Sequence, residues 1–176
     1  MRVLVVYATA YGATKGIAER IADTLRERGL TADLFSADDP DLRELDLADY
    51  EGFVIGSAIH AGSWLKSAVE FVRDNRDILA VRPVWLFSSG PIGERAVGAP
   101  QPDPKQIDEF RGALEVKDHV VFGGAFDPNT ADLSRASWLE RQVVARLLPS
   151  GDYRNWEDIS AWASRIAWKL DPVLVP

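Results

Sequence analysis

Short apolar runs alternate with stretches of helical periodicity along most of this chain. The pattern predicts strands at Arg2–Tyr7, Ala32–Ser36, Gly52–Ser57, Val84–Ser88 and Val120–Phe126. It predicts helices at Ala13–Glu27, Ser63–Asn75, Pro104–Leu114, Leu133–Leu148 and Trp156–Leu170. In the first helix Ile17, Ala18, Ile21 and Leu25 share a face, and Gly29 follows its end as a left-handed terminator would. Pro40–Tyr50 has room for only a turn of helix. Such alternation builds a parallel sheet with helices on both faces, because right-handed crossovers place successive helices over the strands. Runs such as VLVV and VVF, apolar on both sides of the strand, fit a sheet covered on both faces. Five strands suit a doubly wound order 2-1-3-4-5, with the ligand crevice at the carboxyl ends of strands one and three.

The 176 residues fit one domain spanning 1–176, with no repeat or linker that divides it. The N-terminal MRVLVVYATAYG has the basic and apolar parts of a signal peptide, but its β-branched residues lead straight into a turn and read as a first buried strand. No apolar run is long enough to span a membrane. Without cysteine there is no thiolate nucleophile, disulfide or thiolate-held metal, and the expected location is the cytoplasm. A net charge of −7 leaves no basic stripe for nucleic acid. Residues 23–51 hold ten acids against three arginines, which accounts for that whole charge. This window is either a solvated face or a docking surface for a basic redox partner.

Three loops fall at the crevice. The first, TAYGAT at 9–14, joins a strand to a helix whose unpaired amides and dipole point at the ligand space. Gly12 permits close approach, and the Thr9 and Thr14 hydroxyls add donors, a combination that suits a phosphate. Neither a nucleoside-triphosphate loop nor a dinucleotide loop matches, since both glycine-rich signatures are missing. The second loop, GSAIHAGSW, follows strand three, and the third, FSSGPIG, follows strand four. Ser57 and Ser89 lack the G-x-S-x-G elbow of a serine hydrolase. No carboxylate spacing marks a glycosidase pair or a metal site. His119, placed at the start of strand five, reads as structural.

The stretch Val5-Val6-Tyr7-Ala8-Thr9-Ala10-Tyr11-Gly12-Ala13-Thr14, continued by Ala18 and Ile21, resembles the FMN-phosphate signature of the flavodoxin-like superfamily at each constrained position. The order 2-1-3-4-5 is that of flavodoxin itself, so topology and resemblance are not independent. The resemblance implies a flavodoxin-like fold and FMN as cofactor, its phosphate held by Thr9, Ala10, Tyr11, Gly12, Ala13 and Thr14. Ser57, Ala58, Ile59, His60, Ala61 and Gly62 would line the ring, where small residues let backbone donors face developing charge. Gly62 is the expected site of a backbone flip. His60 is the candidate proton donor or anion ligand, with a solvent-facing role as the alternative. Trp64 stacks on the ring or packs in the core. Ser88, Ser89 and Gly90 would meet the pyrimidine edge. Residues 88–98 contain no aromatic of the kind that covers the outer face in electron carriers, which leaves room there for a second substrate.

The chain also resembles the menaquinone-dependent protoporphyrinogen oxidase branch. The resemblance rests on the phosphate loop, Ile55-Gly56-Ser57-Ala58-Ile59, Gly123-Gly124-Ala125, an inserted helix after strand five and a closing NWEDISAWASRIA. The insertion carries Trp138, Leu139, Val143, Val144, Leu147 and Leu148 on one face, to pack on the domain or to touch a membrane periphery through 133–148. Members of the branch are basic around this insert, and this chain is less so. The implied function is a quinone-linked, two-electron flavin oxidoreductase acting on a quinone or porphyrinogen. A one-electron carrier serving a redox partner protein, or a relative that binds deazaflavin, is the alternative.

Overall fold

A computed structural model describes residues 1–90, 102–127 and 150–174. In chain order the first half runs β1 (Arg2–Ala8), α1 (Ala13–Glu27), β2 (Thr31–Ser36), β3 (Gly52–His60) and β4 (Ser63–Trp64). The helices α2 (Lys66–Asp74) and α3 (Arg76–Leu79) follow, then β5 (Val84–Ser89), α4 (Ile107–Ala113) and β6 (Val116–Phe122). Last come β7 (Ala125–Phe126), β8 (Gly151–Asp152) and α5 (Trp156–Leu170). The long strands are parallel and lie in the order β2-β1-β3-β5-β6, which is the expected 2-1-3-4-5 with the short β4 counted apart. The expected helix at Leu133–Leu148 lies outside the described residues.

The run in β1 is apolar throughout because both faces of the sheet are covered. Val3, Val5 and Tyr7 join a core with α1 and α5, while Leu4, Val6 and Ala8 join a second with α2 and α4. Ile17 and Ile21 from α1, and Ile159 and Ile166 from α5, are at most 1 % exposed, and each such burial stabilises by roughly 1.5–3 kcal/mol. At the end of α1 the Leu30 amide donates to the Leu25 carbonyl (3.1 Å) and the Gly29 amide to that of Arg26 (2.9 Å), the paired closure a C′ glycine permits. Asn155 caps α5 by accepting from the amides of Glu157 and Asp158.

Several boundaries depart from the sequence pattern, strand three running on to His60 and the helix expected at Pro104–Leu114 beginning only at Ile107. The fifth parallel strand is Val116–Phe122, not Val120–Phe126. It is an edge strand, so Lys117, Asp118 and His119 can take part without forming an apolar run. Ala125–Phe126 leaves it to pair antiparallel with Gly151–Asp152. Ser63–Trp64, expected in a helix, pairs instead with Ile59–His60 as a hairpin, and helix begins only at Lys66. Pro40–Tyr50 holds two 3-10 turns, Pro40–Glu44 and Leu47–Asp49, each capped by an aspartate.

Candidate functional site

The register of the sheet sets Ala8 beside Ser57 and Ser57 beside Ser88, so the loops after β1, β3 and β5 open at one edge. The first loop is shaped from within, because Thr9 Oγ1 accepts from the Gly12 amide (2.9 Å). Gly12 then enters α1 at φ 95, a conformation costly for a residue with a Cβ, and no side chain caps the helix. No acid stands in the first turn of α1. Thr14 is 1 % exposed, and its hydroxyl has no hydrogen-bond partner among the described residues. The only other such hydroxyl described, that of Thr24, lies near the opposite end of the helix. An unpaired hydroxyl and uncapped amides at one helix start are the donor set a phosphate needs. Lys15 faces water and pairs with Glu19 (3.8 Å).

The second loop is a two-residue hairpin turn. His60 and Ser63 pair across it, and Ala61 and Gly62 both take positive φ, 49 and 75, as a type I′ turn requires. Its tip, His60 to Gly62, is exposed. The turn is held from the side: Lys105 donates its amide to the Gly62 carbonyl (3.2 Å), and the Trp64 amide donates to Gln106 Oε1 (3.1 Å). Rotating the Ala61–Gly62 peptide turns type I′ into type II′ and moves Gly62 alone to negative φ. Type II′ favours glycine at the position Ala61 holds, so the turn as built resists that rotation.

Several expected side chains are already engaged inside the fold. Ser57, fully buried, donates to the Ala58 carbonyl and accepts from the Leu65 amide, both at 2.9 Å. Trp64 is 4 % exposed and packs against Phe110 with ring centroids 5.5 Å apart, so no face is open to stack on a ligand. Its indole Nε1 donates to Ser88 Oγ (2.8 Å). The Gly90 amide donates to the Phe122 carbonyl (3.0 Å). What these residues retain for a ligand is shape and backbone. Of the third loop, residues 91–101 lie outside those described, as does the 88–98 stretch beyond Gly90.

Two constellations escaped sequence reasoning. Ser88 Oγ lies 2.9 Å from Nε2 of His119, whose Nδ1 lies 3.0 Å from Asp103 Oδ1, and Arg111 Nη1 donates to the other Asp103 oxygen (2.5 Å). The His119 side chain is only 1 % exposed. Burial holds this imidazole below its ordinary value, against the pull of Asp103. Burial raises the Asp103 carboxyl, but the Arg111 hydrogen bond and the His119 charge bring it below the usual range. The second lies beside the phosphate loop. Arg154 forks onto Asp152 (2.8 and 2.6 Å), lies 4.4 Å from the Trp156 ring centroid and reaches the Ala13 carbonyl (3.5 Å). Its hydrogen bond holds the Asp152 carboxyl low. Tyr11 meets Phe126 edge to face, with centroids 5.5 Å apart, and both line a cavity of about 430 Å³. Asp152, Arg154 and Trp156 are neighbours in sequence, but only the fold sets them against Ala13, and only the fold joins the other members of the two groups. Among the described residues no cluster of His, Asp and Glu could hold a metal ion, and no helix is long and apolar enough to cross a membrane.

The profile of the flavodoxin domain family matches residues 4–152, from β1 through β8. The chain belongs to the flavodoxin domain family. A curated relative of this flavodoxin domain is protoporphyrinogen IX dehydrogenase [quinone] of Escherichia coli K12, 24 % identical over 97 % of both chains. Among solved structures, a cysteine-to-serine mutant of flavodoxin from Pseudomonas aeruginosa matches at 16 % identity with a TM-score of 0.60, covering 97 % of this chain and 99 % of its own. The flavodiiron core of Flv1 from Synechocystis matches at 16 % identity with a TM-score of 0.66, over 98 % of this chain and 36 % of its own. The chain thus spans little more than a third of the flavodiiron proteins it resembles, and these structural likenesses speak to the fold.

Proposed function

We propose that this flavodoxin domain binds FMN at the carboxyl ends of β1, β3 and β5 and transfers electrons through it. The observation that carries the reading is the buried, unpartnered hydroxyl of Thr14 at an uncapped helix start with no acid in its first turn. Thr9, Gly12 and Thr14 would hold the phosphate, Ala58 to Gly62 would face the ring, and Ser89 with Gly90 would bound its far side. Bound there, the flavin supplies the redox chemistry. The protein's part is to exclude water and present backbone donors toward the ring.

The leading role is that of a carrier for a redox partner, supported by the family match and by exposed acids between residues 38 and 51. The second reading is a quinone-linked, two-electron oxidoreductase acting on a porphyrinogen, and the full-length similarity to the E. coli dehydrogenase favours it. Loading the flavin-free protein with FMN or a deazaflavin, and following quenching of the cofactor's fluorescence, tests the site. Anaerobic stepwise reduction then separates the roles. Two resolved one-electron steps support the carrier; one concerted two-electron step, with quinone-dependent porphyrinogen oxidation, supports the enzyme. Failure to bind FMN removes both.

A further inference from the structure

Ser88, His119 and Asp103 reproduce the hydrogen-bond order of a hydrolytic triad, yet the serine cannot act as a nucleophile. It is fully buried, and its oxygen already accepts the Trp64 indole N–H. The chain of bonds has only one consistent set of protons. Asp103, paired with Arg111, is an ionised acceptor, so the neutral His119 carries its hydrogen on Nδ1. Nε2 is then an acceptor, and the Ser88 hydroxyl donates to it. Every polar group from Trp64 to Arg111 is satisfied in this arrangement.

The same segment grips the hairpin at three points. Lys105 holds the Gly62 carbonyl, Gln106 holds the Trp64 amide, and Asp103 holds the Trp64 indole through His119 and Ser88. We propose that His119 is a positioning residue for the cofactor ring: while neutral it fixes Trp64, and with it the Ala61–Gly62 turn, and a proton taken from solvent onto Nε2 releases that hold. With Nε2 protonated, Ser88 Oγ faces two donors and its own hydrogen loses its acceptor in a fully buried position. The imidazolium meanwhile binds Asp103 more strongly, drawing the ring away from the hairpin. The groups facing His119 are Asp103 and Arg111 from the 102–113 side and Asp118 on its own strand. The two carboxylates favour the proton, while Arg111 and burial oppose it. The inference rests on the FMN reading only for where the turn's movement is felt.

The test begins on flavin-free, ¹⁵N-labelled protein. The His119 ring nitrogens should report the Nδ1–H form near neutrality, and the Gly62 amide and Trp64 indole signals should move together with the His119 titration as pH falls below the ordinary imidazole value. In His119→Gln, which keeps polar groups near Ser88 without titrating, both signals should stay flat. In the FMN-loaded protein the midpoint potential should bend with pH at the same point, and the bend should vanish in His119→Gln. His119→Gln should bind FMN within about threefold of the parent, whereas His119→Phe, which leaves Ser88 without an acceptor, should bind about tenfold more weakly. An Nε2–H form, a histidine that takes up no proton while the protein stays folded, or a Gly62 signal indifferent to the titration overturns the proposal. If FMN fails to bind, the cofactor reading falls, while the flavin-free spectra still decide the relay.

Discussion

At the scale of single residues, the site depends on groups whose partners are either missing or complete. Thr14 is the first kind. Thr14→Val removes a buried hydroxyl that bonds to nothing described, so the flavin-free protein should keep its stability or gain up to about 1 kcal/mol, measurable by denaturant unfolding. The same change should weaken FMN binding about tenfold, and Thr14→Asp by at least about a hundredfold through like-charge repulsion, both read from fluorescence quenching. His119 is the second kind. Unfolded, it takes up a proton near pH 6.5, whereas the buried ring resists until lower pH. Its contribution to stability is therefore whole above about 6.5 and shrinks as pH falls below that value, and the fall should flatten in His119→Gln. The candidate phosphate loop was legible in the sequence because its residues, 9–14, are contiguous. The relay was not: Trp64, Ser88, Asp103 and His119 lie on four separate elements and loops, which the antiparallel hairpin, the parallel β5–β6 pair and the segment before α4 bring together.

At the scale of elements, legibility followed how much information each carried within itself. α1 and α5 were read at their observed bounds because each has an unbroken apolar face and a local stop or cap. β6 was misplaced because the edge position, which no local pattern reveals, admits its charged residues. The β3–β4 hairpin was read as the start of a helix because Trp64 fits the helical apolar spacing, while its turn holds an alanine where asparagine is favoured. Ala61 at φ 49 is the strained position. Ala61→Asn should relieve it, adding about 0.5–1 kcal/mol and raising the melting temperature by about 2–4 °C in calorimetry.

At the scale of the whole molecule, the acidic window is partly structural. Asp33 binds Arg2 and Tyr50, Asp23 binds Arg26, and Asp39 and Asp46 cap the two 3-10 turns. Asp41 and Glu44 are exposed on the same stretch. If the carrier role holds, Asp41→Lys with Glu44→Lys should slow reduction by a basic partner several-fold at low salt, and the difference should fade near about 0.5 M, in stopped-flow traces. The β7–β8 ribbon has a different consequence. Phe126 and Gly151 pair directly across a two-residue ladder, which brings the two ends of residues 128–149 together. Because the ladder already joins their ends, exchanging residues 128–149 for a short turn keeps the ribbon's pairing and shortens the closed loop roughly tenfold, worth about 2 kcal/mol of closure entropy. In evolutionary terms this is a socket: a place beside the 9–14 loop where one segment can be traded for another while the parallel-sheet scaffold is inherited unchanged.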